Sequence, residues 1–435
     1  WCRNSAQDAL ENMFSSDWRD TGLAQAAAML VLYESSAHPE YNPKRLADAL
    51  VWLDKIVCML GLMRLDEGPD PPRGDAGNAA VRSEGVCRFA ERAVPSVYIA
   101  DPSSPPRHCR CPVPADMEPQ TGSGEHPAYT SREYMLPWDP SWTRTQIRDE
   151  ECRRTAWSAL ALASAYTAQC AALHRDVPRL FVTNCANYAI LFPGEALEPP
   201  PTVSSESSSD NARISPRESI WALYCRSMLL WNFCNRVPKE GFDHEQKAEI
   251  AQEAWNEVQA IEDALDCHTC NLDTTLIYMT REYIINADFL RSTRLSVTQL
   301  LRCLQGLDAE VAASPGPLFN RKQAEEWISA QDEVFNRINL SLHTHLQSAP
   351  HTRIAGRVEG GDILVFDGHE LAKRPFMVPW FVTQLSICLA VWSRDRNIVR
   401  ALELGRLILS TVDVANALWP CDCTCFLLHE FVFIY

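Results

Sequence analysis

The chain of 435 residues has no surplus of positive charge: 40 lysines and arginines stand against 56 aspartates and glutamates, a formal net charge of −16. Affinity for nucleic acid rests on neutralising phosphates, so this segment is not expected to bind DNA unaided. Catalytic signatures are missing as well. There is no Gly-x-Ser-x-Gly elbow, no Gly-rich phosphate loop, no HExxH pair and no acid-rich helix suited to magnesium pyrophosphate chemistry. No nucleophile with its base can be named, and the expectation is a protein that is not an enzyme. A repeat of fixed period is lacking, as is a signal peptide or basic targeting arm. The chain begins at Trp1 and not at methionine, so further sequence is expected upstream. Only 376–393 (FMVPWFVTQLSICLAVWS) approaches the length that spans a bilayer. Pro379, Thr383, Gln384 and Ser386 interrupt it, and it reads as a central core helix with no membrane association.

What is present is apolar material in helical step. Hydrophobic residues make up 46% of the chain, enough for a large core. Residues 22–33 are rich in helix formers, and 44–60 place Leu46, Leu50, Leu53, Val57 and Leu60 on one face, with Gly61 as the C-cap. Further helices are expected over 217–236, 245–265, 272–304, 321–346, 376–393 and 397–418. Only 362–368 (DILVFDG) alternates like a strand. Thirteen of the 28 prolines fall between Pro69 and Pro140, which excludes long packed elements there. The layout is therefore a first helical hairpin over 1–65, a Pro/Gly/Ser-rich, partly disordered insertion over 66–145, a main helical body over 146–420 with a Ser-rich linker at 199–216, and a Cys-rich tail, 421–435. The fold class is all-α, a multi-helix bundle with a long irregular insertion.

The 17 cysteines suggest a disulfide framework, yet Cys58, Cys152, Cys170, Cys225 and Cys388 sit singly in apolar helical patterns, where a thiol acts as a small hydrophobe. A reducing compartment follows. Candidate metal ligands are weak. Cys267 and Cys270 have the C-x-x-C spacing but no second pair at the usual distance; a helix-end turn with free thiols explains them. Cys421, Cys423 and Cys425 alternate as soft-metal ligands do, in a tail whose composition reads as frayed. His108, Cys109 and Cys111 lie in the insertion, and His343 and His345 point to different faces of any helix. Trp52, Trp157, Trp221, Trp231, Trp327, Trp380 and Trp392 fall in or beside helical stripes, as core packing or as the lining of an apolar pocket.

The segment 149–170 (DEECRRTAWSALALASAYTAQC) reads as a long helix with Asp149, Glu150 and Glu151 in its first turn, opposing the positive end of the dipole. Cys152, Ala156, Ala159, Ala163, Tyr166 and Cys170 follow at spacings of four and three. The small residues permit close approach of a neighbouring helix. An arginine pair, Arg153 and Arg154, near such a helix start meets an unfavourable dipole and calls for partners.

Three blocks in order, CMLGLMRLD (58–66), EECRRTAW (150–157) and ILFPGEAL (190–197), resemble the middle homology region of fungal transcription factors with a binuclear zinc cluster, the regulatory domain also found in xylanolytic activators. Leu60, Gly61, Leu62, Arg64, Asp66, Glu151, Arg153, Arg154 and Trp157 fall on the family's motif places. Met63 stands where that family has histidine, and Leu65 intervenes before Asp66. The likeness covers about residues 20–200. It implies a nuclear regulator of transcription that reaches DNA through an N-terminal domain whose six cysteines hold two zinc ions. Nothing in this chain fits that C-x2-C-x6-C spacing, so no cofactor is expected here. The resemblance further implies transcription machinery or a co-regulator as partner, a small-molecule effector and a homodimer. Arg153 or Arg154 is expected to pair with Asp66 or Glu151, pinning the hairpin to the long helix; the alternative is a solvated pair of little worth. Two other readings stand beside this one: a helical scaffold or adaptor without DNA function, and a helical enzyme with a tryptophan-lined apolar pocket.

Overall fold

A computed structural model describes residues 2–16, 19–67, 138–172, 175–176, 178–197, 216–236, 244–268, 280, 283, positions between 321 and 336, and 377–419. Among the described residues the fold is all-α, with no strand. The alternating stretch 362–368, the candidates Cys270, Cys421, Cys423 and Cys425, and the histidines of 343–351 lie outside the described residues.

Local chemistry sets the helix ends. Helix α1 (Cys2–Ser15) is followed by α2 (Thr21–Ser35), which Asp20 caps by accepting from the Gly22 amide at 2.8 Å. Helix α3 (Pro43–Leu60) begins with proline behind Asn42, whose side chain accepts from Lys44 N at 2.9 Å. Proline lacks the amide that a first turn leaves unused. At its end Gly61 takes φ 63°, ψ 24°, and its amide returns to the carbonyls of Cys58 and Val57. The left-handed stop is the one expected from the sequence. Among the described residues, 2–60 thus hold three helices, where a hairpin over 1–65 was expected.

Helix α4 (Arg144–Ala172) starts five residues before the expected place. Thr143 and Gln146 form a reciprocal capping box: Gln146 N donates to Thr143 Oγ1 at 3.3 Å and Thr143 N to Gln146 Oε1 at 2.9 Å. That satisfies amides the first turn leaves open. Asp149, Glu150 and Glu151 therefore sit in the second turn, and the dipole argument for the arginine pair does not hold. The stretch 138–145, assigned to the insertion by composition, is in part the entry to this helix, with Trp138 and Trp142 edge to face at 6.1 Å.

The alanine seam makes α4 a centrepiece. Ala156, Ala159 and Ala163 are wholly buried, and α2, α3, α5 (Ile220–Arg236) and α7 (Met377–Arg394) all pack on it. A first core joins α1 to α5, the segment 180–192 and α6 (His244–Asp266). Its polar crossing is Asn232, which donates to Ser164 Oγ at 2.7 Å between α5 and α4. A second core gathers α7, α8 (Val399–Leu418), residues within 324–335 and Ala37 from the α2–α3 connection. Tyr41 packs against both cores.

Helix α7 holds the apolar run whose length approaches a membrane span. Phe381, Ile387 and Val391 are wholly buried within the second core, and among the described residues no helix is long and apolar enough to cross a membrane. Of the cysteines assigned to the core, Cys152, Cys170, Cys225 and Cys388 are buried free thiols, whereas Cys58 is exposed. Its α3 position falls off the Leu46–Val57 stripe, so the face and not the residue type decides. Burial pushes the Cys225 and Cys388 thiols well above their ordinary range. Cys185 departs from the all-thiol pattern and is engaged in a disulfide.

Candidate functional site

Past Gly61 the chain makes a 3-10 turn (Leu62–Arg64) that buries Leu62 and Met63 and leaves Arg64 and Leu65 at the surface. Met63 is wholly buried, and its carbonyl accepts from Ala189 N at 2.7 Å, while Asp66 N donates to Ala189 O at 3.1 Å. These two backbone bonds clip the turn to the segment 188–195. Arg64 takes no part; it faces Glu67 at 3.6 Å, with both side chains largely exposed.

Arg153 enters from α4. Its Nε donates to Asp66 Oδ2 at 2.9 Å and its Nη2 to Asp66 Oδ1 at 2.6 Å. Leu191 N donates to the same Oδ2 at 2.8 Å. The fork geometry matches a carboxylate with two parallel bonds, and the Asp66 bonds hold the Arg153 guanidinium even more firmly protonated than usual. Arg154 pairs with Glu150, Nε to Oε1 at 2.9 Å, and not with Glu151. Glu151 instead accepts from Gln25 Nε2 on α2 at 3.1 Å. Glu150 is wholly buried, takes a further bond from Gly194 N at 3.1 Å and lies 3.6 Å from Arg153 Nη1. Among the described residues two carboxylates, Asp66 and Glu150, thus face two guanidiniums, Arg153 and Arg154, in one cluster. Trp138 covers it, with the Arg154 guanidinium 4.0 Å from the ring centre.

Trp157, one turn on, finishes the join. Its indole N–H donates to Leu191 O at 2.9 Å, and its ring lies against Tyr188 at 4.9 Å and Phe192 at 5.1 Å. Tyr188 donates through its hydroxyl to Val182 O at 2.7 Å. The segment is anchored at its other end by Asp54 of α3, which accepts from the amides of Phe181 and Val182 at 2.9 and 2.8 Å. Burial pushes the Asp54 carboxyl up, against the pull of those two amides.

Of the residues singled out by sequence, Asp66, Arg153, Arg154 and Trp157 meet at this node, and Gly61 and Leu62 shape the turn that delivers Asp66. Leu60, Arg64 and Glu151 stand outside it. Glu150, Leu191, Phe192 and Gly194 fall inside the blocks 150–157 and 190–197 but have no role expected at this node, and Tyr188 lies outside the blocks. Glu150 had a legible signal, lying three and four residues before the two arginines on a helix. The others contribute mainly backbone groups or rings from an irregular segment, which carries no periodic signal. Both Asp66 oxygens are committed to donors of the protein itself, an arrangement suited to holding elements together.

Of the C-x-x-C candidate at the end of α6, only Cys267 is among the described residues. Cys267 donates from Sγ to Asp263 O at 3.3 Å, and His268 Nε2 lies 2.7 Å from Glu218 O. Among the described residues no three His, Cys, Asp or Glu side chains are grouped as a metal site.

Comparison with family models, with curated proteins and with solved structures returns no match for this chain.

Proposed function

We propose that this chain is the regulatory body of a fungal sequence-specific transcription factor, controlling transcription in the nucleus without chemistry of its own. One observation supports the reading. The three blocks that carry the resemblance, 58–66, 150–157 and 190–197, form one bonded unit through Asp66, Arg153, Leu191 and Trp157. Motif residues so far apart in sequence share one physical role, which is to fix the end of α3 and the 188–195 segment onto α4. In this reading DNA contact belongs to a zinc-cluster domain elsewhere in the protein, and the chain bears on the transcription machinery or a co-regulator through its shape. Cys225 and Cys388 are buried within the two apolar cores, and Cys152 is buried with its Sγ 3.0 Å from the Thr21 hydroxyl, places that do not suit such a cluster. No step of the proposal runs through zinc.

The test is a reporter assay in a fungal host, with residues 1–435 fused to an unrelated DNA-binding domain. Reporter output should differ from that of the DNA-binding domain alone, in either direction, and should return towards it when Arg153 and Asp66 are both replaced by alanine. Output equal to the domain alone would contradict a regulatory role.

A further inference from the structure

The connection from α2 to α3, residues 36–42, is where the first three helices meet the second core. Ala37 is buried in that core, and Tyr41 packs against both cores. Between these two anchors the His38 ring is stacked on Tyr33 and edge-on to Tyr41, with ring centres 4.5 and 6.3 Å away. Its carbonyl accepts from the Tyr41 amide at 3.0 Å, so ring and anchor share one turn of chain. The His38 side chain is 10% exposed, whereas its stacking partner Tyr33 is 43% exposed. The imidazole thus lies one ring away from solvent.

The polar groups around this ring are unevenly used. Glu34 is wholly buried, and its Oε1 accepts from Arg3 Nε of α1 and from Arg45 Nε and Nη2 of α3, the last two at 3.1 and 2.8 Å. Glu34 Oε2 takes no hydrogen bond and lies 3.9 Å from His38 Nε2, beyond bonding reach. Neither nitrogen of His38 has a hydrogen-bond partner among the described residues. The charges that act on the ring are Glu34 from α2, Arg45 from α3, Glu40 from the connection itself and Arg3 from α1. Tyr33 and Tyr41 are the titratable groups in ring contact with it. Two acids already offset two arginines, so a proton on His38 leaves one charge uncompensated where there is little water. Burial disfavours the imidazolium more than Glu34 favours it.

We propose that His38 is a proton-operated release for the second core. When the imidazole takes a proton, the ring leaves its slot beside Glu34 and passes Tyr33 into water, and the 36–42 connection loosens its hold on α7 and α8. No hydrogen bond to either nitrogen resists the exit, and the imidazolium regains the hydration that the slot denies it. The contact with Tyr41 goes with the ring, which takes support from the residue that touches both cores. Helix α7 keeps its own packing on α4, so the second core is loosened and not detached. The inference goes beyond the regulatory reading above and stands on the geometry of the connection alone.

The experiment follows amide hydrogen exchange of the full chain by mass spectrometry at about pH 7.5 and about pH 5.5, either side of the ordinary imidazole value, with protection corrected for the intrinsic pH dependence of exchange. Peptides from 36–42, α7 and α8 should lose protection together at the lower pH, by up to about tenfold, the limit for one proton over one pH unit. Helix α4 should keep its protection. Two variants remove the proton and should each show the same protection at both pH values in these peptides: His38→Gln, which stays polar, and His38→Phe, which keeps a ring in the slot. Each variant is compared with itself across pH, so a general loss of stability does not mask the result. Unchanged protection of α7 and α8 in the parent, a loss shared equally by α4, or a loss that persists in both variants would each overturn the proposal. A gain of protection at the lower pH, as a new bond from the imidazolium to Glu34 Oε2 gives, would overturn it as well.

Discussion

Arg153 grips both carboxylate oxygens of Asp66, a residue 87 positions earlier, at 2.9 and 2.6 Å. Their side chains are only 9% and 19% exposed, and the same carboxylate also receives the Leu191 amide. A pair so placed joins α4, the turn after α3 and the 188–195 segment at one point. Buried ion pairs are weak contributors relative to a well-packed apolar substitute, but removing one partner leaves the other charge stranded and costs several kcal/mol.

Trp157 separates packing from hydrogen bonding in the same join. Trp157→Phe keeps a ring between Tyr188 and Phe192 but loses the bond to Leu191 O and part of the ring volume, so it should cost about 1–3 kcal/mol. Trp157→Ala opens a cavity in the first core and should cost about 3–5 kcal/mol. Chemical denaturation followed by circular dichroism measures both. Equal losses would show that the indole N–H, and not the ring, carries the contact.

A second buried charge has the same logic. Glu34 at the end of α2 is wholly buried and bonded by Arg3 of α1 and by Arg45 of α3, whose Nη2 lies 2.8 Å from Oε1. Glu34→Ala should lower stability by about 2 kcal/mol, less than a fully buried pair because both arginines keep some solvent. Glu325→Ala, which breaks a half-exposed pair with Arg321, should leave the midpoint where it is. Similar losses at the two sites would contradict the assignment of Glu34 as the fastening between the first three helices.

His38 supplies a pH dependence. It lies in the α2–α3 connection, stacked on Tyr33 at 4.5 Å and edge-on to Tyr41, with Glu34 at 3.9 Å and Glu40, Arg45 and Arg3 as the nearby charges. Burial lowers its pKa, outweighing the pull of Glu34. The folded chain therefore takes up this proton at lower pH than the unfolded chain, whose imidazole titrates near about 6.5. Stability from this group is complete above that value and is lost as the pH falls below it towards the folded pKa. His38→Gln should flatten the fall in melting temperature between about pH 7 and pH 5.5. A variant profile parallel to the parent's would remove His38 from the account.

Two glycines should respond with opposite sign. At Gly61 an added Cβ meets nothing within 4 Å, but the backbone sits at φ 63°, so Gly61→Ala should cost about 1 kcal/mol through the left-handed conformation alone. At Gly405 in α8 the Cβ would make ordinary contact with Leu385 and Cys388 at 3.5 and 3.6 Å. Gly405→Ala should stabilise by up to about 1 kcal/mol, the difference in helix preference. Thermal melts of the two variants decide both statements.

Helix α3 and the later helices were legible because their apolar residues recur at the helical period, α2 was legible from its helix formers, and the Gly61 stop because a left-handed terminus favours that residue; α1 was not expected. The start of α4 was not, because the Thr143–Gln146 box lies in a stretch whose prolines suggested irregular chain. With that start set too late, the acids at 149–151 resemble dipole partners, when Glu150 is a buried acceptor for Arg154. The Asp66–Arg153 pair was among the expected partners; the choice between Arg153 and Arg154 was not readable, since it depends on which face of α4 meets the turn. Glu34 carries a sequence signal of its own, a lone acid in the last turn of an otherwise apolar helix. The 180–195 segment shows its role only in three dimensions, because it works through backbone amides and carbonyls that every sequence possesses.

The account depends most on the pair that joins α3 to α4, and a double-mutant cycle on Asp66→Ala and Arg153→Ala, read by denaturant unfolding of the full chain, tests it most directly. The expected result is a loss of about 3–5 kcal/mol for each single variant and a coupling of about 2 kcal/mol or more, with the double variant little worse than either single one. Losses that add to within about 0.5 kcal/mol would mean that the two side chains act independently, and the node would not be what fastens this fold.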